Sequence, residues 1–144
     1  TDFPAPRKIE LVRLPHAYTE LHAEISSSDL GHTMSEGGRA AHPVVCLVCG
    51  QVLDANGRGE CTMHAKSCGC GVGIFFLLQE CTVLLIHGKM AAYFASPYVD
   101  AYGERHRSAR GRPLFLDERR YALVRGLWVK HLVAHEVGKK KKTR

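Results

Sequence analysis

No apolar run in these 144 residues approaches the ~20 needed to span a bilayer as a helix, so no membrane-spanning segment is expected. The opening Thr1-Asp2-Phe3-Pro4 lacks the basic-then-apolar order of a secretory signal. It also lacks an initiator Met, which leads to the expectation of a piece cut from a longer chain. The glycine run Gly69-Cys70-Gly71-Val72-Gly73 lacks the G-x-G-x-x-G spacing and leads into a strand, not a helix. No Walker-type Lys-Ser/Thr follows it, so a phosphate cradle is excluded there. Also missing are H-E-x-x-H and the His-x-Glu with Pro-Cys-x-x-Cys of zinc deaminases. The aromatics fall at apparent core positions and are not interleaved with basic residues, which disfavours a nucleic-acid groove.

Cysteine, in contrast, is placed with purpose. Cys46-Leu47-Val48-Cys49-Gly50 is a tight knuckle whose two sulfurs can point at one spot, and Cys61-Thr62-Met63-His64 follows after a turn-like stretch. Two close pairs of soft and borderline donors make a closed tetrahedral site of the kind structural Zn²⁺ prefers. A lone Cys-x-x-Cys would also fit a redox pair. Paired Cys/His spacing without a signal favours metal ligation in a reducing compartment over disulfides.

Five residues compete for four places. Cys46, Cys49, Cys61 and His64 form one set. Cys68, one helical turn beyond His64, replaces Cys61 in the other, and helical spacing allows both. A catalytic zinc keeps an open position and a general base. Neither is visible, so the site reads as structural and no catalytic residue is assigned. Cys81, between two apolar runs, reads as a small buried hydrophobe. His87, His106, His131 and His135 read as surface or internally satisfied residues.

Along the chain, residues 1–8 are expected to be extended. A helix is expected from Pro15, with Tyr18, Leu21 and Ile25 on one face. Ser26–Gly38 reads as a surface loop. Val44-Val45 and Gln51–Leu53 are strands flanking the knuckle, and Asp54-Ala55-Asn56-Gly57 is a turn. Cys61–Cys68 is a short helix. Ile74–Leu78, Thr82–Ile86 and Met90–Ala95 are strands with short connections, an antiparallel meander. The first two do not alternate with polar residues and should be covered on both faces.

The expected cover is one last helix. Asp117 caps it, Tyr121, Val124, Leu127, Trp128 and Leu132 form its apolar stripe, and Gly138 ends it. Trp128 should be buried against the strands at 74–78 and 82–86. Gly126, costly in a helix, suggests a close backbone contact. The fold class is therefore α+β: a small zinc-knuckle subdomain joined to an antiparallel β meander covered by a C-terminal helix. Residues 1–43 form an N-terminal helix and loop, 44–137 the zinc-binding unit, and 138–144 a basic tail. The formal charge is +6, nearly all of it supplied by Lys139–Lys142 and Arg144. Such a run is usually a solvated end.

These motifs resemble a known family in order and spacing. Cys46-Leu47-Val48-Cys49-Gly50, Cys61–Gly69 and Gly71-Val72-Gly73-Ile74-Phe75-Phe76 are similar to the extreme C-terminal domain of the UBR-box N-recognin RING-type ubiquitin ligases. Ser96-Pro97-Tyr98-Val99-Asp100-Ala101-Tyr102-Gly103-Glu104 resembles that family's S-P-Y-L-D-x-x-G-E segment. Arg110-Gly111-Arg112-Pro113-Leu114-Phe115-Leu116 resembles its R-G-x-P-L-x-L. The resemblance covers about residues 9–135. Many members carry an extra Cys-Cys pair where this chain has Asp54-Ala55-Asn56-Gly57.

The resemblance implies the zinc-binding, autoinhibitory terminal domain of a large ligase acting on N-degrons for proteasomal degradation. Its partners would be the UBR box and RING region of the same ligase. Through the full-length protein, they would also include a ubiquitin-conjugating enzyme and N-degron substrates. The implied location is cytoplasmic, with a nuclear pool also allowed. Arg110 and Arg112 are the candidate interdomain contacts. The alternative is an independent zinc finger that binds nucleic acid through its basic tail.

Overall fold

The computed structural model describes residues 10–26, 42–54, 59–102 and 113–142. The expectations for residues 1–8, the 27–38 loop, the 55–57 turn, His106, Arg110 and Arg112 fall outside them. Among the described residues the chain forms α1 (Tyr18–Ser26), β1 (Pro43–Cys46), β2 (Val52–Asp54), α2 (Glu60–Gly69) and β3 (Val72–Leu77). It continues through β4 (Thr82–His87), β5 (Met90–Phe94), β6 (Tyr98–Val99), β7 (Phe115–Leu116), α3 (Glu118–Val129) and α4 (Val133–Lys142). The fold is α+β, as expected.

Five strands pair antiparallel in the order β2-β1-β3-β4-β5, and β6 pairs with β7 in a small second sheet. The meander β3-β4-β5 is the expected one. β1 joins it on the far side of β3, so the knuckle strand lies beside the most buried strand.

Alternation along the strands separates two cores. Val45, Ile74, Phe76, Val83 and Leu85 face one way and pack with Leu21, Ile25, Tyr121, Val124, Leu127, Val133 and Val137 from three helices. Val44, Cys46, Phe75, Leu77 and Ile86 face the other way and meet only Cys61 and Ala65 of α2 among their buried partners. Both faces of β3 and β4 are therefore covered, which explains why their sequences read as continuous apolar runs.

Gly73 fixes how α2 sits. A Cβ there would lie 3.0 Å from the Ala65 Cβ and 2.6 Å from the Phe75 ring. Glycine on the strand and alanine on the helix let the two backbones approach closely.

The polar atoms of the larger core are satisfied by backbone. Tyr98 Oη donates to the Pro15 carbonyl at 2.6 Å, Tyr18 Oη to the Leu78 carbonyl and Tyr121 Oη to the Val12 carbonyl. Burial raises the pKa of all three phenols. Ser96 is buried and anchors the start of β6, accepting from the Tyr98 N–H at 3.1 Å with Cys81 Sγ at 3.3 Å. Cys81 is fully buried, as expected for a small hydrophobe.

Four expectations need correction. The first helix starts at Tyr18, not Pro15, although Leu21 and Ile25 are buried as anticipated. The last helix is two helices. Asp117 caps α3 through the Arg119 and Arg120 N–H groups. Then Lys130 N–H closes on Gly126, Leu132 N–H closes on Leu127, and His131 adopts φ 57°. A non-glycine residue in the left-handed region ends α3 and redirects the chain into α4. It is α4, through Val133 and Val137, that packs on β4 and β5. The helix continues through Gly138, and Leu132 at the corner is 39% exposed.

Trp128 is only partly buried. It packs beside Gly69 at the end of α2 and lines a cavity of about 380 Å³ with Val72, His87 and His131. Among the described residues, nothing beyond its chain neighbours and the surrounding backbone of its own helix lies within 4 Å of where a Gly126 Cβ would be, so the expected close contact is not found.

Candidate metal centre

The knuckle is built by backbone hydrogen bonds. Gly50 N–H donates to the Cys46 carbonyl at 2.7 Å and Cys46 N–H to the Gln51 carbonyl at 2.9 Å. Gly50 has φ 88°, a turn that favours glycine. Leu47 N–H reaches the Ile74 carbonyl at 2.9 Å, which ties the turn to β3. The two cysteines are thus held rigidly at the end of β1.

α2 supplies the other donors. It begins at Glu60 and ends at Cys70, whose φ of 56° turns the chain toward β3. His64 and Cys68 lie one helical turn apart on the face toward the knuckle. Cys49 Sγ is 3.3 Å from His64 Nε2, and Cys46 Sγ is 4.0 Å from Cys68 Sγ. All four donor atoms of Cys46, Cys49, His64 and Cys68 lie within 4.8 Å of one another.

These distances suit a tetrahedral zinc. With Zn–S near 2.3 Å, sulfurs at tetrahedral corners stand about 3.8 Å apart, and sulfur–nitrogen edges are slightly shorter. Three sulfurs and one imidazole are also the chemistry zinc prefers.

The electrostatics point the same way. Burial above all, with neighbouring Cys49 and Cys68, pushes the Cys46 thiol up to about 12. The Cys49 and Val48 N–H groups act against this by pointing at the Cys46 sulfur. Gln51 N–H donates to Cys49 Sγ at 3.5 Å. Backbone donors aimed at sulfur favour thiolate, and a divalent cation supplies the charge that three crowded sulfurs otherwise lack.

Of the five candidates read from the sequence, the structure brings together Cys46, Cys49, His64 and Cys68. Cys61 is not among them. It lies one turn earlier on α2, buried in the apolar cluster with Val44 and Phe75, and burial raises its thiol to about 11. His64 packs edge-on to Phe75, with centroids 6.1 Å apart. His87, His131 and His135 are exposed.

The Ser96–Asp100 segment was visible in the sequence only as part of the family resemblance. It is a buried polar corner. Asp100 is buried and accepts from the Tyr102 N–H at 2.8 Å.

No helix among the described residues is long and apolar enough to cross a membrane.

The family model described as Proteolysis_6 C-terminal matches residues 1–130. E3 ubiquitin-protein ligase UBR2 of Homo sapiens is 36% identical over 142 residues, covering 90% of this chain and 8% of that protein. E3 ubiquitin-protein ligase UBR1 of Mus musculus is 35% identical over 152 residues, 96% of this chain and 8% of the relative. E3 ubiquitin-protein ligase ubr1 of Schizosaccharomyces pombe is 31% identical over 140 residues, covering 89% and 7%. The chain therefore spans under a tenth of the length of these relatives.

Proposed function

The chain belongs to the Proteolysis_6 C-terminal family, as a C-terminal domain of UBR-type ligases, and from that premise we propose that it is the zinc-bound structural and regulatory domain of a large RING-type ubiquitin ligase. The observation that carries this reading is the convergence of Cys46, Cys49, His64 and Cys68 from the knuckle and α2. The four residues would hold Zn²⁺, which when bound supplies charge and a rigid crosslink. The chain's own contribution is to hold the sulfurs by backbone N–H groups and to dock α2 on β3 through Ala65 and Gly73. Four donors close the site, so the metal would be structural, and the sequence carries one Cys/His cluster rather than the cross-braced pattern of a RING; the segment is therefore proposed to transfer no ubiquitin alone.

Within the whole ligase the domain packs on the substrate-binding UBR box and the RING region and restrains them. The complete protein takes N-degron substrates and a ubiquitin-conjugating enzyme in the cytoplasm. Arg110 and Arg112 are proposed as charged contacts to those other regions.

The test has two arms. Deleting residues 44–137 from the full-length ligase, or changing both Arg110 and Arg112 to Ala, should alter N-degron peptide binding and substrate ubiquitylation. Unchanged binding and turnover in both would leave a passive terminus. The 144-residue chain, mixed with activating enzyme, conjugating enzymes and ubiquitin, should form no ubiquitin conjugates. Conjugate formation would contradict the non-catalytic assignment.

A further inference from the structure

The four donors are not equally protected. Cys46 is buried, His64 and Cys68 are half-buried, and Cys49 is exposed at the tip of the knuckle. Cys49 Sγ lies within 4.8 Å of both other cluster sulfurs, and those two are 4.0 Å apart. An accessible sulfur with two others in reach is the arrangement needed for a thiol that is oxidised and then resolved. The exposed Cys70 is not one of the four, and Cys61 and Cys81 are buried.

We propose that the Cys49 knuckle is an oxidation site for small hydroperoxides, at which a disulfide between Cys49 and Cys46 or Cys68 dismantles the metal centre. The inference rests on the zinc reading given above.

The chemistry balances with hydrogen peroxide as the oxidant. The Cys49 thiolate attacks one peroxide oxygen, the O–O bond breaks, and hydroxide leaves, giving a sulfenic acid. A second cluster thiolate attacks the Cys49 sulfur, the S–O bond breaks, and a second hydroxide leaves. Two thiolates and one peroxide become one disulfide and two hydroxides; the zinc ion keeps its oxidation state. One thiolate and His64 then remain, too few donors for a closed four-coordinate site. With a Cys49–Cys46 disulfide α2 loses its link to the knuckle and the Ala65–Gly73 contact is left to hold it; with a Cys49–Cys68 disulfide a covalent link replaces the metal.

Solvent access decides the site. Cys49 is exposed, whereas Cys46 is buried in the cluster with Cys61 and Ala65 of α2. A thiol reductant and fresh zinc should reverse the change, because no sulfur passes beyond the disulfide.

The experiment uses the zinc-loaded 144-residue chain and its Cys70→Ser variant. Both are treated with stoichiometric hydrogen peroxide, with a chromogenic chelator reporting free zinc and mass spectrometry mapping disulfides. Both proteins should release zinc in step with one intramolecular disulfide that includes Cys49. Dithiothreitol with added zinc should restore the metal content.

Zinc retained while Cys70 alone is oxidised in the unaltered chain would overturn this inference and leave the zinc reading standing. So would zinc loss accompanied by sulfinic acids or intermolecular disulfides in Cys70→Ser. A purified chain with no stoichiometric zinc would overturn both.

Discussion

On one face of the five-stranded sheet, Ile74, Phe76, Val83 and Leu85 meet apolar side chains from three helices. On the other, among the described residues, Val44, Phe75, Leu77 and Ile86 are covered by one helix, α2, whose buried residues are Cys61, Ala65 and Gly69. At ~25 cal/mol per Å² of apolar surface, residues this small contribute little to holding a helix down. A ten-residue helix is also marginal by itself. The first face is held by area; on the proposed reading the second is held by a zinc crosslink through Cys46, Cys49, His64 and Cys68. On that reading, the metal replaces side-chain volume where Gly73 and Ala65 bring a helix close to a strand.

The largest effect should come from the first face. Phe76→Ala removes a fully buried ring that packs near Tyr18 and Tyr98. It should cost about 3–5 kcal/mol, read as a lower denaturant midpoint for the whole domain. A change that lowered only the signal from α2 would show that the two faces are not divided as described.

Chelation should act on the second face first. Removing zinc should strip hydrogen-exchange protection from residues 60–69 and the knuckle while β3–β4 and α3 keep theirs. Uniform loss over both faces would make the metal a global staple instead.

Gly73→Ala sharpens the division further. The new methyl meets Ala65 and the Phe75 ring, so one of them must shift. Such overpacking typically costs about 1–3 kcal/mol. Zinc affinity should fall with it, because α2 carries His64 and Cys68. Unchanged zinc affinity would mean that helix position and metal site are independent.

The smallest effect belongs to the start of α3, whose cap is not among the four clustered donors. Asp117→Ala removes the cap of α3, for a loss of about 1 kcal/mol. Thermal unfolding should register that loss, and zinc content should not change. A loss of zinc on removing this cap would tie α3 to the metal face.

Much of this was legible beforehand, and the failures share a cause. Apolar runs marked β3 and β4, and the period of Leu21 and Ile25 marked α1. Cys46-x-x-Cys49 with Gly50 marked the knuckle. The break after α3 was not visible, because His131 adopts a left-handed conformation with no glycine to signal it. α4 was missed for a related reason. Its sequence, with Gly138 and four lysines, is a poor helix that exists because Val133 and Val137 pack on the sheet. Trp128 packs against the core cluster that includes Ile74, Phe76, Val83 and Leu85, as expected, but its ring also reaches Gly69 and stays partly exposed.

The choice between Cys61 and Cys68 could not be made from periodicity. Cys61, His64 and Cys68 share one helical face at i, i+3 and i+7. What separates them is the seat of α2 on the sheet, where Ala65 approaches Gly73 and the His64 and Cys68 donors lie beside Cys46 and Cys49. That contact is tertiary, and helical periodicity does not report it.

The central claim is that this seat makes His64 and Cys68, not Cys61, the helical half of the metal centre. Zinc-to-protein ratio in purified Cys68→Ala and Cys61→Ala chains tests it most directly. The account predicts that Cys68→Ala loses stoichiometric zinc, while Cys61→Ala keeps it and loses only packing stability. Zinc retained in Cys68→Ala and lost in Cys61→Ala would contradict it.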